Sequence, residues 1–315
     1  MTSQDDDSTI RSAAVLGASG FWGSWMVDLL VGKGVHVTGI SRHDRPALPS
    51  LRKPQVSVFA NLETADPATY LTSEYDAVFF LAGSASVPYS VKDPIGDLDA
   101  NTRSVVRILQ HLRNLTVPPR FIYASSAAVY GTSVYQPMDE SHPRNPLSPY
   151  GVSKLVAEQY VSLFAHNFGV PGASVRPFSI YGPGQQKQVV FDISRRLAAG
   201  ETPLRMLGSP DVSRDFVHVE DAARAMWIVA QNAELRGETF NVGSGAETTL
   251  GELAESLRNV AGSVAEVEFS GEVREGDPLH WRGDISALAA LGYSPQISLL
   301  DGLTSTFEWT AGLAN

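Results

Sequence analysis

Ala13-Ala14-Val15-Leu16-Gly17-Ala18-Ser19-Gly20-Phe21-Trp22-Gly23 decides the fold. Four small or apolar residues read as a short strand. They run into a G-x-x-G-x-x-G turn, and residues 21–31 carry helical spacing that Gly32 and Gly34 close. Glycines between a strand and a helix permit a tight turn and let the backbone approach a pyrophosphate. The helix N-terminus then offers that anion free N–H groups and the positive end of its dipole. In a chain with 27 glycines the spacing alone is weak, but its place directly after the first strand gives it weight.

The same rhythm continues outward. Residues 35–40, 56–59, 77–81, 120–124 and 173–176 read as strands, and 95–113 and 150–168 as helices. Residues 77–81 are wholly apolar, as expected of a strand covered on both faces. Strands alternating with helices of this length predict βαβ units: an α/β fold with a doubly wound parallel sheet. After Arg176, Pro177, Gly182, Pro183 and Gly184 break the rhythm. Short strands (216–219, 240–242, 264–269) then mix with helices (188–199, 221–231, 250–260, 299–313). This gives a dinucleotide-binding domain over 10–177, with returning segments near 214–243. A smaller α/β substrate-binding lobe covers 178–213 and 244–315, and 1–9 form a disordered tail.

Composition limits the function. The 315 residues are 43% hydrophobic and 18% charged, a globular balance. Lys and Arg number 24 against 34 Asp and Glu, a net charge of -10, which argues against a broad basic face for nucleic acid. Cys is absent, which excludes disulfides, a thiolate nucleophile and Cys-ligated metal; no metal site is expected. The acidic N-terminus is unlike a secretory signal, and no uncharged run is apolar enough for a membrane span. The expectation is a cytoplasmic protein.

Three further segments carry chemistry. The second strand ends Ile40-Ser41-Arg42-His43, with no acid before Asp44. An NAD site usually places Asp or Glu there for the ribose 2′-hydroxyl, whereas Ser41 and Arg42 suit a 2′-phosphate, so the reading is NADP with NAD as the alternative. Tyr150 and Lys154 stand at i and i+4, on one helical face. A tyrosine with its ordinary pKa near ~10 is a poor proton carrier at pH 7, and an adjacent ammonium favours the phenolate. Lowering the pKa by ~3 corresponds to ~4 kcal/mol. Ser125-Ser126-Ala127-Ala128-Val129-Tyr130-Gly131 follows a strand, at the sheet edge where ligands bind in such folds.

Taken together these segments resemble the extended short-chain dehydrogenase/reductase family, the nucleotide-sugar epimerase, dehydratase and reductase group, over nearly the whole chain. Asp76-Ala-Val-Phe-Phe-Leu-Ala82, Arg176-Pro-Phe-Ser-Ile-Tyr-Gly-Pro183, Arg214-Asp-Phe-Val-His-Val-Glu-Asp221, Phe240-Asn-Val-Gly243 and Arg274-Glu-Gly-Asp277 add to the likeness. The resemblance implies a Rossmann sheet and a catalytic set of Ser126, Tyr150 and Lys154. It places the dinucleotide against Gly17, Ser19, Gly20, Phe21, Trp22, Gly23, Ser41, Arg42, Asn61, Leu62, Leu81, Ala82, Gly83, Asn101 and Pro177, besides Tyr150 and Lys154. It places the sugar nucleotide against Ser84, Ser86, Val87, Ser126, Ser179, Arg214 and Arg274. A homodimer built from the helices of Asn101 and Tyr150 is also implied.

Departures from the family pattern narrow the reaction. Ala127 and Ala128 stand where the 4,6-dehydratases carry Asp-Glu, so the acid and base for water elimination are missing. Asn61 replaces a usual Asp near the adenine, and Ser179 replaces an Asn that meets the substrate diphosphate in many members. The first expectation is a 4-ketoreductase that passes hydride from NADPH to C4 of a nucleotide-linked 4-keto-6-deoxyhexose. The alternative is a nucleotide-sugar 4-epimerase with bound NAD. A non-catalytic dinucleotide-binding regulator is the third reading.

Overall fold

The computed structural model describes residues 10–43, 46–72, 75–271 and 280–313. Strand β1 (Ser12–Leu16) leads through the glycine turn into helix α1 (Phe21–Gly32), followed by β2 (His36–Ser41), β3 (Val56–Phe59) and β4 (Ala77–Phe80). Helices α2 (Val87–Lys92), α3 (Pro94–Leu98) and α4 (Ser104–Leu112) precede β5 (Arg120–Ala124). Helix α5 (Pro149–Phe168) and β6 (Gly172–Pro177) complete the regular alternation. The remainder holds β7 (Ser179–Tyr181), α6 (Gln188–Ala198), β8 (Leu204–Met206), β9 (Ser213–Arg214), β10 (Phe216–His218), α7 (Val219–Asn232) and β11 (Arg236–Val242). Last come β12 (Thr248–Thr249), α8 (Leu250–Val260), β13 (Val267–Phe269), α9 (Ser286–Ala290) and α10 (Leu299–Gly312).

Seven strands form one sheet in the order β11-β6-β5-β4-β1-β2-β3, and every pairing in it is parallel. The chain runs outward from β1 to β3, then jumps back to β4 beside β1. This is the doubly wound Rossmann arrangement, with its switch point between β1 and β4.

Period-two alternation explains why the strands read as continuously apolar. Ala13, Val15, Ala77, Phe79 and Ile122 face one layer, with Met26, Val27 and Leu30 of α1 and Met226 and Val229 of α7. Ala14, Leu16, Val78, Phe80, Phe121 and Tyr123 face the other, with Ile108 and Leu109 of α4 and Val161 of α5. Phe79 and Phe80 are adjacent, fully buried and on opposite faces; each contributes roughly 2 kcal/mol by leaving water. A separate apolar cluster joins α6, α8 and α10 through Ile193, Leu197, Leu253, Leu257 and Leu303.

The helix expected over 95–113 is divided. Asp99–Arg103 forms a π-turn between α3 and α4. The wider turn frees the Asn101 carbonyl, which accepts from the Tyr123 hydroxyl at 3.3 Å, while Thr102 donates to the Ser153 carbonyl of α5 at 2.8 Å. The interruption is therefore made by tertiary bonds to β5 and α5, which periodicity does not register. The strand expected over 264–269 shortens to β13. Helix α2 and the two- and three-residue strands β7, β8, β9 and β12 were too short for periodicity to reveal.

A buried ion pair ties α5 to the sheet. Arg176 of β6 donates to Glu158 through Nε at 2.9 Å and Nη2 at 2.8 Å, and both residues are buried. Arg176 Nη1 also donates to the Tyr130 hydroxyl at 2.9 Å, which in turn donates to Asn241 of β11 at 2.6 Å. Removing one partner strands a buried charge. Glu158→Gln is expected to cost about 3–5 kcal/mol in denaturant unfolding, and Glu158→Leu with Arg176→Met markedly less than twice that. Equal and additive losses would show that the pair carries no such coupling.

Candidate active site

Because the sheet is parallel, all seven strands end at one edge. Gly17 after β1, Ser41 at the end of β2, Asn61 after β3, Leu81 after β4, Ser126 after β5 and Pro177 at the end of β6 therefore share that edge. At the switch point the β1 turn packs against the β4 turn. Gly17 has φ +90°, and a Cβ there would come within 2.7 Å of the Ala82 nitrogen. A Cβ on Gly23 would collide with the Gly17 carbonyl, so α1 rests directly on the turn. Helix α1 has no side-chain cap at Gly20 and no acid in its first turn. Its leading N–H groups and positive dipole end face the glycine turn uncompensated. A tight glycine cradle under a bare helix N-terminus fits a dinucleotide pyrophosphate.

The rim residues vary in character. Ser41 donates its hydroxyl to the His43 carbonyl at 2.7 Å, and Arg42 is exposed. Asn61 is exposed and its Oδ1 accepts from Glu63 N at 3.1 Å, while Leu62 is in the core. Trp22 packs against the layer of α1 and α7, and its indole nitrogen is buried without a partner. Ser19 and Phe21 are half-buried. Gly83 is exposed, and a Cβ on it would strike Asn101 Oδ1. Ser84 is half-buried, Ser86 caps α2 by accepting from Tyr89 N at 3.2 Å, and Val87 opens that helix, exposed.

Ser126, Tyr150 and Lys154 converge. Ser148 caps α5 and Pro149 fills its first turn, so Tyr150 stands at the helix mouth. Its ring is buried and its phenol oxygen is met by the Ser126 hydroxyl. Ser126 also accepts from Ala128 N at 3.1 Å. Lys154 is 5% exposed; its Nζ donates to the Ala124 carbonyl at 2.8 Å and lies 5.9 Å from the Tyr150 ring centre.

The electrostatics correct one expectation. Burial pushes the Tyr150 phenol up to about 12; the Ser126 hydrogen bond lowers it and the Asp97 charge raises it. Burial likewise pulls the Lys154 ammonium down to about 8, opposed by the charges of Asp97 and Glu158. The lysine is spent on the Ala124 carbonyl, so desolvation of the phenol outweighs the ammonium.

Ser179 opens β7, half-buried. Arg214 lies with its guanidinium 5.7 Å from the Trp281 ring centre and donates to the Ser213 carbonyl at 2.7 Å. Arg274 lies outside the described residues. Sequence reasoning missed Trp281, which packs edge-on to Phe178 and borders the Ala127–Tyr130 cluster. It also missed Asp215, a buried carboxylate that accepts from Ser244 N, Gly245 N and Gly283 N at 2.7, 3.1 and 3.2 Å and so fixes the strand that presents Arg214. Both sit in loops without periodic signal.

The sheet order, the glycine cradle and the Ser–Tyr–Lys cluster define an extended short-chain dehydrogenase/reductase. The model of the NAD-dependent epimerase/dehydratase family matches residues 13–243, and the chain belongs to that family. It is 33% identical over 307 residues to the UDP-glucose 4-epimerase of Mycolicibacterium smegmatis, covering 94% of this chain and 97% of that protein. It is 32% identical over 244 residues to the GDP-6-deoxy-D-mannose reductase of Pseudomonas aeruginosa, covering 74% and 80%. The structure of UDP-glucuronic acid 4-epimerase from Bacillus cereus, solved with UDP-glucuronic acid and NAD, superposes with a TM-score of 0.87 at 27% identity, covering 96% of this chain and 99% of that one. No described helix is long and apolar enough to cross a membrane.

Gly17→Ala combines a collision with Ala82 and an unfavourable φ, costing roughly 1–3 kcal/mol. The expected result is at least tenfold weaker dinucleotide binding by calorimetry, with the far-ultraviolet dichroism retained. Unchanged affinity would place the pyrophosphate elsewhere.

Proposed function

We propose that the protein is a UDP-sugar 4-epimerase working with NAD. The observation that carries this reading is the convergence of Ser126, Tyr150 and Lys154 beside the β1–β4 switch point. The full-length likeness to UDP-sugar 4-epimerases supports it over the ketoreductase first expected, since the reductase match is shorter. Ala127 and Ala128 leave no acid–base pair for dehydration.

NAD, when bound, supplies a reversible hydride acceptor for C4. Tyr150 would act as the phenolate, taking the proton of the 4-hydroxyl and returning it after the 4-keto sugar has presented its other face; the positive nicotinamide of bound NAD would favour that ionisation against the burial of the phenol. Ser126 donates to the same oxygen and keeps it aligned with the phenol. Lys154 holds a positive charge beneath the pair. In this reading Arg214 meets the diphosphate, and Ser179 and the segment of Ser84, Ser86 and Val87 meet the sugar. The remaining edge residues, from Ser41 and Asn61 to Asn101 and Pro177, line the dinucleotide.

The choice of NAD over NADP rests on the NAD found in the Bacillus cereus relative. Arg42, exposed at the ribose end, then contributes little; Arg42→Ala is expected to leave NAD-dependent turnover within about twofold. Exposed Val91 and Ile95 of α2 and α3, with Val152 and Leu163 of α5, support a homodimer through these helices, which sedimentation at micromolar concentration tests by mass.

The deciding experiment is conversion of UDP-glucose to UDP-galactose without added cofactor, with NAD released on denaturing the purified protein. Tyr150→Phe is expected to lower kcat by about 10²–10⁴ while keeping NAD. Stoichiometric consumption of NADPH with a 4-keto sugar, and no epimerisation, would overturn the reading in favour of the reductase.

A further inference from the structure

Asp97 is wholly buried in α3, two residues before the π-turn. A carboxylate so placed is costly unless it is bonded or balanced. Its Oδ1 accepts from Asn101 Nδ2 at 2.9 Å, and its Oδ2 has no partner. An ionised carboxylate only accepts, so it draws the Asn101 amide nitrogen to itself and turns the Asn101 oxygen away. That oxygen is also buried and unpartnered, and it abuts Gly83 at the end of the β4 turn. Asp97 and Asn101 stand four residues apart and so share one helical face.

The same carboxylate acts on Lys154 through its charge. Facing the ammonium are Asp97 from α3, Tyr123 from β5, and Tyr150 and Glu158 from α5, with Arg176 of β6 paired to Glu158. The charges of Asp97 and Glu158 both favour the Lys154 ammonium, and Glu158 is also bonded to Arg176.

We propose that Asp97 is a positioning residue of this site: it holds the Asn101 acceptor oxygen toward the dinucleotide edge at Gly83 and supplies the buried negative charge that balances Lys154. The proposal rests on the reading of Tyr150 and Lys154 as the proton-handling pair. Asn101 then offers its free oxygen to a hydroxyl of the dinucleotide ribose. Asp97 also opposes the phenolate at Tyr150, so its removal moves both groups in the same direction.

Asp97→Asn keeps the shape and an acceptor for Asn101 but removes the charge. In protein labelled with ¹⁵Nζ-lysine, with the Lys154 signal assigned through Lys154→Arg, the wild-type ammonium is expected to titrate at about 8. In Asp97→Asn it is expected to titrate lower, by on the order of one pH unit, and the kcat profile moves to lower pH with it. Asp97→Ala also releases Asn101 and is expected to weaken NAD binding at least fivefold. A merely structural role would lower the unfolding midpoint without moving either titration. An unmoved Lys154 titration in folded Asp97→Asn overturns the proposal. A wild type inactive on UDP-sugars, with Lys154 still displaced in Asp97→Asn, supports the charge balance and removes only the substrate reading.

Discussion

An ammonium group held out of water beneath a tyrosine is the constraint around which this molecule is arranged. Lys154 is nearly fully buried, and its Nζ is bonded to the end of β5 through the Ala124 carbonyl. Burial pulls its pKa down to about 8, and the charges of Asp97 and Glu158 oppose that shift. That balance requires α3 and α5 to hold Asp97 and Glu158 close by. Glu158 in turn needs Arg176 on β6, and Arg176 reaches the Tyr130 hydroxyl and the Glu140 carbonyl. One buried charge thus orders a polar network running from the helix pair through the sheet to β11.

The second constraint is topological. Parallel pairing brings all the strand ends to one edge, and the reversal of direction between β1 and β4 opens a crevice there. Gly17 and Gly23 allow turn and helix to approach each other where a side chain would not fit. The charge network sits on the β5–β6 side of this crevice and the glycine cradle on the other. In the proposed reading, a dinucleotide spanning them would meet backbone N–H groups at one end and the Ser126–Tyr150 pair at the other.

Much of this was legible in the sequence. Strands such as Ala77–Phe80 are buried on both faces and show it as continuous apolar runs, and α5 announces itself through Ser148, Pro149 and a long periodic segment. The glycine turn and the Tyr150/Lys154 spacing were legible because both obey local geometry. What stayed hidden depends on tertiary contacts. The π-turn at Asp99–Arg103 is held by Tyr123 and Ser153, and Asp215 and Trp281 act from irregular loops. The direction of the Tyr150 pKa was misjudged for a related reason: spacing on a helix reveals the neighbour, but not the depth of burial that outweighs it.

Under the proposed epimerase reading, hydride leaves C4 and returns to the same carbon within one closed site. A UDP-hexose carrying deuterium at C4, incubated with the protein and followed by mass spectrometry and NMR, tests this most directly. The 4-epimer is expected to form with the deuterium still at C4. Washing of the label into water, or its one-way appearance in free reduced dinucleotide, would contradict it.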